Sequence, residues 1–512
     1  MISTRSNMNA VTTARNLGNA QDKVDASMQR LSTGLRINKA ADDAAGLAIS
    51  EKLKSQVDGL NQASRNAKDA ISLVQTAESA LGEVGNMLQR MRTLALQSVN
   101  DVNTSSERAS LNKEVSALKT EITRLAGASE FNGQKLLDGS FQSKRFQVGA
   151  NSGQEITVSV GAVDATKLGV NRVNSNGNMT DAVTAVASDT INNVDAQTLT
   201  VTGSSGTATV GVTVGQSARA IAENINLKSA NTGVTARAET ALELTVASSG
   251  TITFTLAGDK TGTAAAAAVS GIQDRATITA QVASTSDLST LAAAINEQTA
   301  KTGVQARIGD TKAELILVSD DGRDIVIADF TGANATVRGL QANTDQNTPE
   351  NAYVDSAGAA ISLSGTTDTT RVGGFLKFDS AAGLSVSSNT AAAGLFIGAA
   401  NDSNPSTLFQ VAKINVTDID GASSAISMLD GAIQQINDQR ASLGAVQNRL
   451  QATISNLESS SENLQFSNAR IRDADVATES SELARAQVLM QAGVSVLAQA
   501  NQQPQMALKL LG

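Results

Sequence analysis

The chain has no cysteine and no histidine among its 512 residues. Without cysteine it can form no disulfide and has no thiol nucleophile. Without histidine it lacks the commonest general base and the commonest transition-metal ligand, and the zinc-protease motif H-E-x-x-H cannot occur. Carboxylates and lysines remain, so these absences argue against an enzyme without excluding one. We expect no catalytic residue, no metal and no cofactor.

Aromatic residues and positive charge are also scarce. Aromatics make up 2% of the chain, with one tyrosine and no tryptophan, so platforms for base stacking are missing. The formal net charge is -9, whereas nucleic-acid binders carry a basic footprint. The first residues lack the apolar segment of a secretory signal peptide. The longest apolar run, residues 391–400, is shorter than the roughly 20 residues of a membrane-spanning helix. We expect neither nucleic-acid binding nor membrane insertion.

What the chain does have is enough apolar side chains for a core, at 41% hydrophobic residues. Its length suggests about three or four domains. Charged residues make up 17%, below the roughly 25% that is usual. Alanine, serine, threonine, asparagine and glycine take their place. Such small side chains suit a surface that another copy covers, and they equally suit an ordinary β domain.

Apolar residues recur with helical spacing near the N-terminus and again near the C-terminus. The N-terminal pattern halts between Gly34 and Asn38, because glycine and asparagine favour turns. A final helix is predicted to begin near Leu483, after the polar stretch that starts at Asn468. The apolar residues that define these two terminal patterns are Leu17, Val24, Met28, Leu31, Leu35, Ile471, Leu483, Leu489, Val496 and Leu497.

Two longer patterns lie inside the terminal ones. One is predicted to form a helix from Leu53 to Ala95, and a third helix should start with a capping box at Thr104 and Glu107 and end near Gly127. The other keeps three-four spacing for about five heptads from residue 426, which is typical of a coiled coil.

An apolar pattern of this length cannot bury itself, so we predict that both chain ends form one antiparallel helical bundle. Two separate helical domains are the alternative. The predicted core residues of the bundle are Leu60, Ile71, Leu81, Leu88, Leu111, Leu118, Ile122, Ile433, Ile436, Leu443, Leu450 and Leu457.

The middle of the chain alternates polar and apolar residues, as β-strands do, and contains a repeat. Gly233 matches Gly303 and Arg237 matches Arg307, both at an offset of 70 residues. Each copy is predicted to form a short helix, a Thr-Gly turn and strands, which gives two tandem modules at about 190–270 and 271–345. An alanine run from Ala264 is the predicted linker. The fold class is therefore α+β and multidomain.

Several stretches at both ends strongly resemble bacterial flagellin. They include "LSTGLRINKAADDAAGLAIS", "LQRMRTLALQSVN", "EFNGQKLLDG" and "RIRDADVATESSELARAQVLMQAGVSVLAQANQQPQ". The resemblance covers about the first 150 and last 90 residues, with its motifs in order. The middle repeat resembles the insertion modules of flagellins and hook-associated proteins.

The resemblance implies a structural protein that is exported unfolded by the flagellar type III apparatus and polymerises into the extracellular filament for motility. Residues 1–38 and 468–512 would form an inner coiled coil, and the resemblance assigns the ten apolar residues of the two terminal patterns to self-assembly there. Residues 39–160 and 418–467 would form a helical bundle with a β-hairpin, and residues 161–417 an outer insertion. The implied partners are identical subunits, hook-associated and cap proteins, and an export chaperone at the C-terminal segment.

One surface strip resembles the segment by which the mammalian Toll-like receptor detects flagellins. The positions that match are Arg90, Leu94 and Glu114, while Thr93 departs from the family pattern. An ordinary solvated helix face is the alternative, because neighbouring residues belong to the helical repeat.

Three other functions stay open. A hook–filament junction protein shares the terminal design, and a Ser/Thr-rich middle would suit an adhesin. The sequence "SDDGRD" also offers Asp320, Asp321 and Asp324 as a carboxylate pair or a weak calcium site. A polar turn between two strands is the simpler interpretation.

Overall fold

A computed structural model describes residues 7–100, 102–185, 191–262, 271–309, 311–343, 353–356, 358–364, 368–391 and 394–511. The predicted alanine linker lies outside these residues. The chain divides into two compact units. The first unit contains Met1–Gln75, Ser143–Ser159 and Leu443–Gly512, and the second contains Thr76–Gln142 and Val160–Ser442. Two of these boundaries fall inside long helices, and the predicted three-domain division stays a prediction.

Long helices occupy both ends of the chain and short ones occur in its middle, as predicted. In chain order the α-helices are α1 (Met8–Thr33), α2 (Ala44–Val99), α3 (Ser105–Ala128), α4 (Ala218–Asn226), α5 (Ser229–Thr232), α6 (Ser289–Asn296), α7 (Thr299–Thr302), α8 (Ile419–Arg472) and α9 (Val476–Leu511).

The strands lie between α3 and α8, and most belong to the second unit. They are β1 (Glu130–Phe131), β2 (Gln134–Lys135), β3 (Lys144–Gln147), β4 (Glu155–Val158), β5 (Gly169–Asn174), β6 (Val183–Ala185), β7 (Gln197–Gly203), β8 (Gly206–Val212), β9 (Thr235–Val246), β10 (Gly250–Asp259), β11 (Arg275–Val282), β12 (Gln305–Ile308), β13 (Glu314–Ser319), β14 (Asp324–Thr331), β15 (Ala335–Ala342), β16 (Tyr353–Asp355), β17 (Ile361–Leu363), β18 (Thr369–Val372), β19 (Phe375–Ser380), β20 (Ser385–Ser388), β21 (Asn404–Pro405) and β22 (Thr407–Gln410).

The local signals at the N-terminal helices are mostly confirmed. Helix α1 ends at Gly34, whose φ of 71° is the left-handed conformation that glycine adopts without strain. The Thr104 hydroxyl accepts from the Glu107 N–H, and the Glu107 carboxylate accepts from the Thr104 N–H, which completes the capping box of α3. The predicted end at Gly127 is wrong, because α3 continues to Ala128 and Ser129 caps it.

The C-terminal helices differ from the prediction at their junction. Helix α8 continues to Arg472 and α9 already begins at Val476, so the predicted start near Leu483 is wrong. Asp475 causes the early restart, because its carboxylate accepts from the N–H groups of Ala477 at 2.9 Å and Thr478 at 3.3 Å. An aspartate cap of this kind satisfies donors that a helix start leaves free.

The helices of both chain ends pack together in each unit, which confirms the predicted fold class. In the first unit Ala67 and Ala70 of α2 form a buried cluster with Leu450 and Ile454 of α8. Of the twelve predicted core residues, seven are buried, namely Leu81, Leu88, Ile122, Ile436, Leu443, Leu450 and Leu457. The other five are half-buried, namely Leu60, Ile71, Leu111, Leu118 and Ile433.

Two small hairpins follow α3. Strands β1 and β2 pair around Asn132 and Gly133, whose φ angles of 49° and 75° fit the predicted Asn-Gly turn. Strands β3 and β4 form the second hairpin in the first unit, where Val148 and Ile156 join the α2–α8 cluster.

The β-rich part of the second unit contains three larger sheets. Their strand orders are β11-β10-β14-β18-β6, β12-β13-β9-β19-β5-β22 and β21-β20-β7-β8, with β15 to β17 joined to the second through β9. Helix α4 buries Ile221 and Ile225, and α6 buries Leu291 and Ile295, against these sheets.

The internal repeat is visible at the level of single hydrogen bonds. Gly233 and Gly303 cap α5 and α7 with φ angles of 72° and 71°. The Asn226 amide bonds the backbone N–H and carbonyl of Ala236, and Asn296 does the same with Ala306. Each module therefore uses an asparagine to join its helix to the strand ten residues later.

Candidate assembly surface

Helices α1 and α9 of the first unit pack against each other in antiparallel orientation. The Asn7 amide donates to the Ala500 carbonyl at 2.8 Å, and at the other end Arg30 lies 3.6 Å from the Glu479 carboxylate. Between them, Gly493 faces Leu17 closely enough that an added Cβ would lie 3.4 Å from the leucine side chain. The two chain ends thus form a two-helix coiled coil.

Small residues occupy four of the five buried positions described in this coiled coil, and Glu479 occupies the fifth. Ala20 and Ser27 of α1 and Ala486 and Ala500 of α9 are each less than 9% exposed. Seven of the ten residues assigned to self-assembly are half-buried, namely Leu17, Val24, Leu31, Leu35, Ile471, Leu483 and Leu497. The other three stay exposed, Met28 at 56%, Leu489 at 52% and Val496 at 51%. One partner helix therefore covers only part of the apolar surface.

The sequence pattern of large apolar side chains does not include these small residues. A strict three-four spacing appears in α9 once alanine and glycine are counted. Its positions are 483, 486, 490, 493, 497 and 500. Small side chains let two helix backbones approach closely. This pattern of spacing would have identified the face of α9 that contacts α1.

Helix α9 has a second apolar surface that α1 does not cover. Val488 is 65% exposed, Leu489 52% and Val496 51%, and helical spacing places these three side chains on one side of α9. Among the residues that the structure describes in the first unit, no side chain buries these groups. Water contact with apolar surface is unfavourable by about 25 cal/mol per Å². This face is therefore a candidate for contact with another copy of the chain.

The joint between α1 and α2 is tied to the far end of the chain. The Arg36 N–H donates to the Arg472 carbonyl at 2.7 Å, and the Ala474 N–H donates to the Gly34 carbonyl at 2.9 Å. Within the joint, the Asp42 carboxylate accepts from the N–H groups of Asn38 and Lys39, which lowers its pKa. The joint is an ordered connection rather than a loose loop.

Four alanines around this joint are exposed in the single chain: Ala40, Ala41, Ala44 and Ala45. Their small side chains would allow a neighbouring helix to approach closely. No residue of the described chain covers them, so they remain available to a second copy.

The three residues assigned to receptor contact lie together on α2 and α3. Arg90 and Glu114 form an exposed ion pair at 2.7 Å, with side chains 54% and 43% exposed. Leu94 is only 1% exposed, so it packs inside the helical bundle. Arg90 and Glu114 are accessible to a partner and Leu94 is not.

The acidic residues of the turn between β13 and β14 form ion pairs within the second unit. Asp321 pairs with Arg219 and, at 2.7 Å, with Arg323. Asp324 is 0% exposed, and Arg371 lies 3.2 Å from it. Among the described residues no group of three or more acidic side chains is placed to hold a metal ion. These partners leave Asp321 and Asp324 unavailable for calcium.

A polar cavity of about 1440 Å³ lies in the second unit beside the start of α8. The hydroxyl of Tyr353 donates to Glu239, which also accepts from Lys377 at 2.7 Å, and Arg307 pairs with Asp420. Burial and the neighbouring Glu239 charge raise the pKa of Tyr353 well above its usual range. Four charged side chains that line the cavity are therefore paired, Glu239 with Lys377 and Arg307 with Asp420.

Comparison with known proteins places these features in one family. The pattern of the bacterial flagellin N-terminal helical region matches residues 2–142, and that of the C-terminal helical region matches residues 426–511. The flagellin hook IN motif matches residues 198–255 and 242–321, which overlap and together span much of the repeat region.

Relatives match the chain over its whole length. The B-type flagellin of Pseudomonas aeruginosa is 38% identical over 510 residues, which are 100% of this chain and 99% of the relative. Flagellin B of Vibrio cholerae is 35% identical over 511 residues and all of both chains. The solved structure of FliC from Burkholderia pseudomallei is 18% identical, covers 74% of this chain and 99% of its own, and has a TM-score of 0.30. Within the described residues, no helix has the length and apolar character needed to cross a membrane.

Proposed function

The chain belongs to the flagellin family, the structural subunits of the extracellular bacterial flagellar filament, and we propose that the α1–α9 coiled coil is the surface through which its copies polymerise. Hook-associated proteins are the partners that the family implies at the filament ends. The role is structural, and the proposal includes no catalytic step. Matches to flagellins over the full length favour a filament subunit over a junction protein.

The incomplete burial of the terminal helices is the observation that supports this assembly surface. Val488, Leu489 and Val496 are each more than half exposed although α1 and α9 already cover each other. Fully burying one such side chain is worth about 1.5–3 kcal/mol. Contacts between different faces of identical subunits build an open helical filament when the rotation that relates the subunits does not close into a ring.

Leu31→Asp tests the surface directly. The substitution puts a charge at a half-buried position of α1, and burying an unpaired charge is strongly unfavourable. We expect the variant to form no filaments, measured by electron microscopy and sedimentation, while its second unit keeps the wild-type thermal transition.

Leu227→Asp is the matched control, because Leu227 is 80% exposed and belongs to the second unit. It makes the same chemical change outside the proposed surface, and it should polymerise normally. Normal filaments from Leu31→Asp would refute the assignment of α1 to the assembly surface.

Export supplies two further proposals. The chain is exported unfolded through the flagellar type III apparatus, and a chaperone holds its C-terminal segment before export. The absence of cysteine supports this route, because no disulfide can lock the chain before passage. The apolar second face of α9 supports the chaperone, since an uncovered apolar helix is prone to aggregation.

Recognition by the mammalian Toll-like receptor for flagellin is a separate proposal. Its support is the accessible ion pair of Arg90 and Glu114, and the burial of Leu94 limits the contact to these two side chains. Arg90→Ala in the monomer should reduce receptor signalling in reporter cells. Arg124→Ala, which removes another exposed arginine from an ion pair with Glu121, is the control. Equal signalling by both variants would contradict the proposal.

A further inference from the structure

Two carboxylates face each other inside the five-stranded sheet of the second unit. Asp259 ends β10 and Asp324 begins β14, and the antiparallel register places them directly opposite each other. Asp324 is 0% exposed, Asp259 6%, and Arg371 of β18 4%. Like charges opposed across two strands destabilise a sheet. The pair therefore needs a compensating cation or a proton.

Arg371 supplies one positive charge for these two carboxylates. Its Nη1 donates to Asp259 Oδ2 at 2.8 Å and to Asp324 Oδ2 at 3.2 Å. The other donor to Asp324 is the neutral amide of Asn192, at 2.8 Å. Among the described residues, the charged groups that act on Asp324 are Arg371 and Asp259. With both carboxylates ionised, one negative charge would remain uncompensated in the interior, which is energetically costly.

The surroundings of the two carboxylates decide which one holds a proton. Asp259 Oδ1 accepts from the N–H groups of Thr261 at 3.0 Å and Gly262 at 3.1 Å. Although burial opposes the charge, Arg371 and these N–H donors lower the pKa of Asp259. Asp324 Oδ1 is buried and has no hydrogen-bond partner among the described residues. Burial, with the facing Asp259 charge, raises the pKa of Asp324 to about 7.

We propose that Asp259 and Asp324 form a proton-binding site beside Arg371, which holds one proton on Asp324 in mildly acidic surroundings and releases it in alkaline ones, so that the fold is less stable in alkaline surroundings. Asn192 contacts this site from the residues that precede β7. Its amide donates to Asp324 and to the Gln216 carbonyl, and its side-chain oxygen accepts from the Val194 N–H.

The direction of the pH effect follows from proton linkage. The folded chain holds a proton on Asp324 that the unfolded chain has already released, so this stabilisation is present below the ordinary pKa of 3.8 and is lost as pH rises through about 7. Asp259 has the opposite shift, and its stabilisation is lost only as pH falls below its ordinary value. A window of roughly pH 5.5 to 8.5 therefore reports Asp324.

The composition of the chain limits the number of other side chains that titrate in this window. There is no histidine and no cysteine, the side chains that ordinarily titrate nearest to this window. Burial also raises the pKa values of Glu243, Asp320 and Asp418, so the difference between variants, rather than the wild-type slope alone, identifies the site. The single tyrosine, Tyr353, is a fluorescent probe in the same unit.

The experiment is thermal unfolding of the full chain, followed by Tyr353 fluorescence across that window. The wild-type Tm should fall as pH rises, with the unfolding constant changing by up to about tenfold per pH unit for one proton. Asp324→Asn keeps the neutral form at every pH, so its Tm should lose this dependence. Asp195→Asn, at an exposed site, should keep the wild-type slope.

Asp259→Asn provides a second, independent outcome. It removes the facing charge and leaves Arg371 to Asp324 alone, so the midpoint of the pH dependence should move to lower pH. This variant decides the question if Asp324→Asn does not fold. A flat wild-type profile, a wild-type slope in Asp324→Asn, or an unmoved midpoint in Asp259→Asn would each overturn the proposal.

Discussion

Apolar residues of α2 differ widely in burial. Leu81 is 0% exposed, whereas Leu96 is 48% exposed in the same helix and the same unit. Leu81→Ala should lower the free energy of unfolding by about 2–5 kcal/mol, because it leaves a cavity in a packed core. Urea denaturation followed by circular dichroism measures this loss. Leu96→Ala should lower it far less, and equal losses would contradict the assigned core.

Side-chain size explains which residues the sequence could predict. Large apolar residues such as Leu81, Leu88 and Leu450 were found by spacing alone, and all are buried. The buried small residues Ala20 and Ala486 were not, because alanine also occurs on exposed faces. Nor could spacing show that Leu94 is buried while Arg90 is exposed, since the surface of a helix depends on which neighbours cover it.

At the scale of an element, the first turn of α3 depends on one capping box. Thr104→Ala should destabilise this helix end by about 0.5–2 kcal/mol, because the Glu107 N–H loses its acceptor. The Thr104 backbone N–H and hydroxyl lower the pKa of Glu107. The stabilisation from Glu107 is therefore present above its ordinary pKa of 4.5 and is lost as pH falls through the lowered value.

Hydrogen exchange of the first α3 amides measures both effects. At neutral pH, the protection of these amides from exchange should be lower in Thr104→Ala than in the wild type. In the wild type, this protection should fall only on acidification. Glu107→Gln should remove the pH-dependent part, while Ser110→Ala, on the same helix outside the box, is the control. Unchanged protection in both box variants would show that other contacts hold this turn.

Two helix ends were predictable from the sequence, and the start of α9 was not. Gly34 ends α1 and the Thr104–Glu107 box starts α3, because the necessary groups are adjacent in the chain. The restart of α9 was missed, since the polar run after Asn468 suggested a long break while Asp475 alone suffices as a cap. The Thr-Gly turns of the two repeat modules were predictable as well, and Gly233 and Gly303 have matching conformations.

At the scale of the whole molecule, the order of the strands was beyond the sequence. Strand β9 pairs with β13, β15 and β19, and β18 pairs with β6 from a distant part of the chain. Alternation identifies a strand and its buried face, but many partners satisfy the same pattern. The buried cluster of Asp259, Asp324 and Arg371 was hidden for the same reason, because β10, β14 and β18 bring it together.

The second apolar face of α9 distinguishes pairing within a chain from packing between chains. Val488→Ser should leave the Tm of the free chain unchanged, since the side chain is already 65% exposed. In the filament it should remove an apolar contact, and a loss of about 1.4 kcal/mol raises the critical concentration roughly tenfold. Sedimentation across a concentration series measures that value. Val214→Ser, at a site 45% exposed in the second unit, is the matched control. If both variants assemble at the wild-type critical concentration, the outer face of α9 contacts no neighbouring subunit, and the exposed alanines at the joint would have to supply the contact instead.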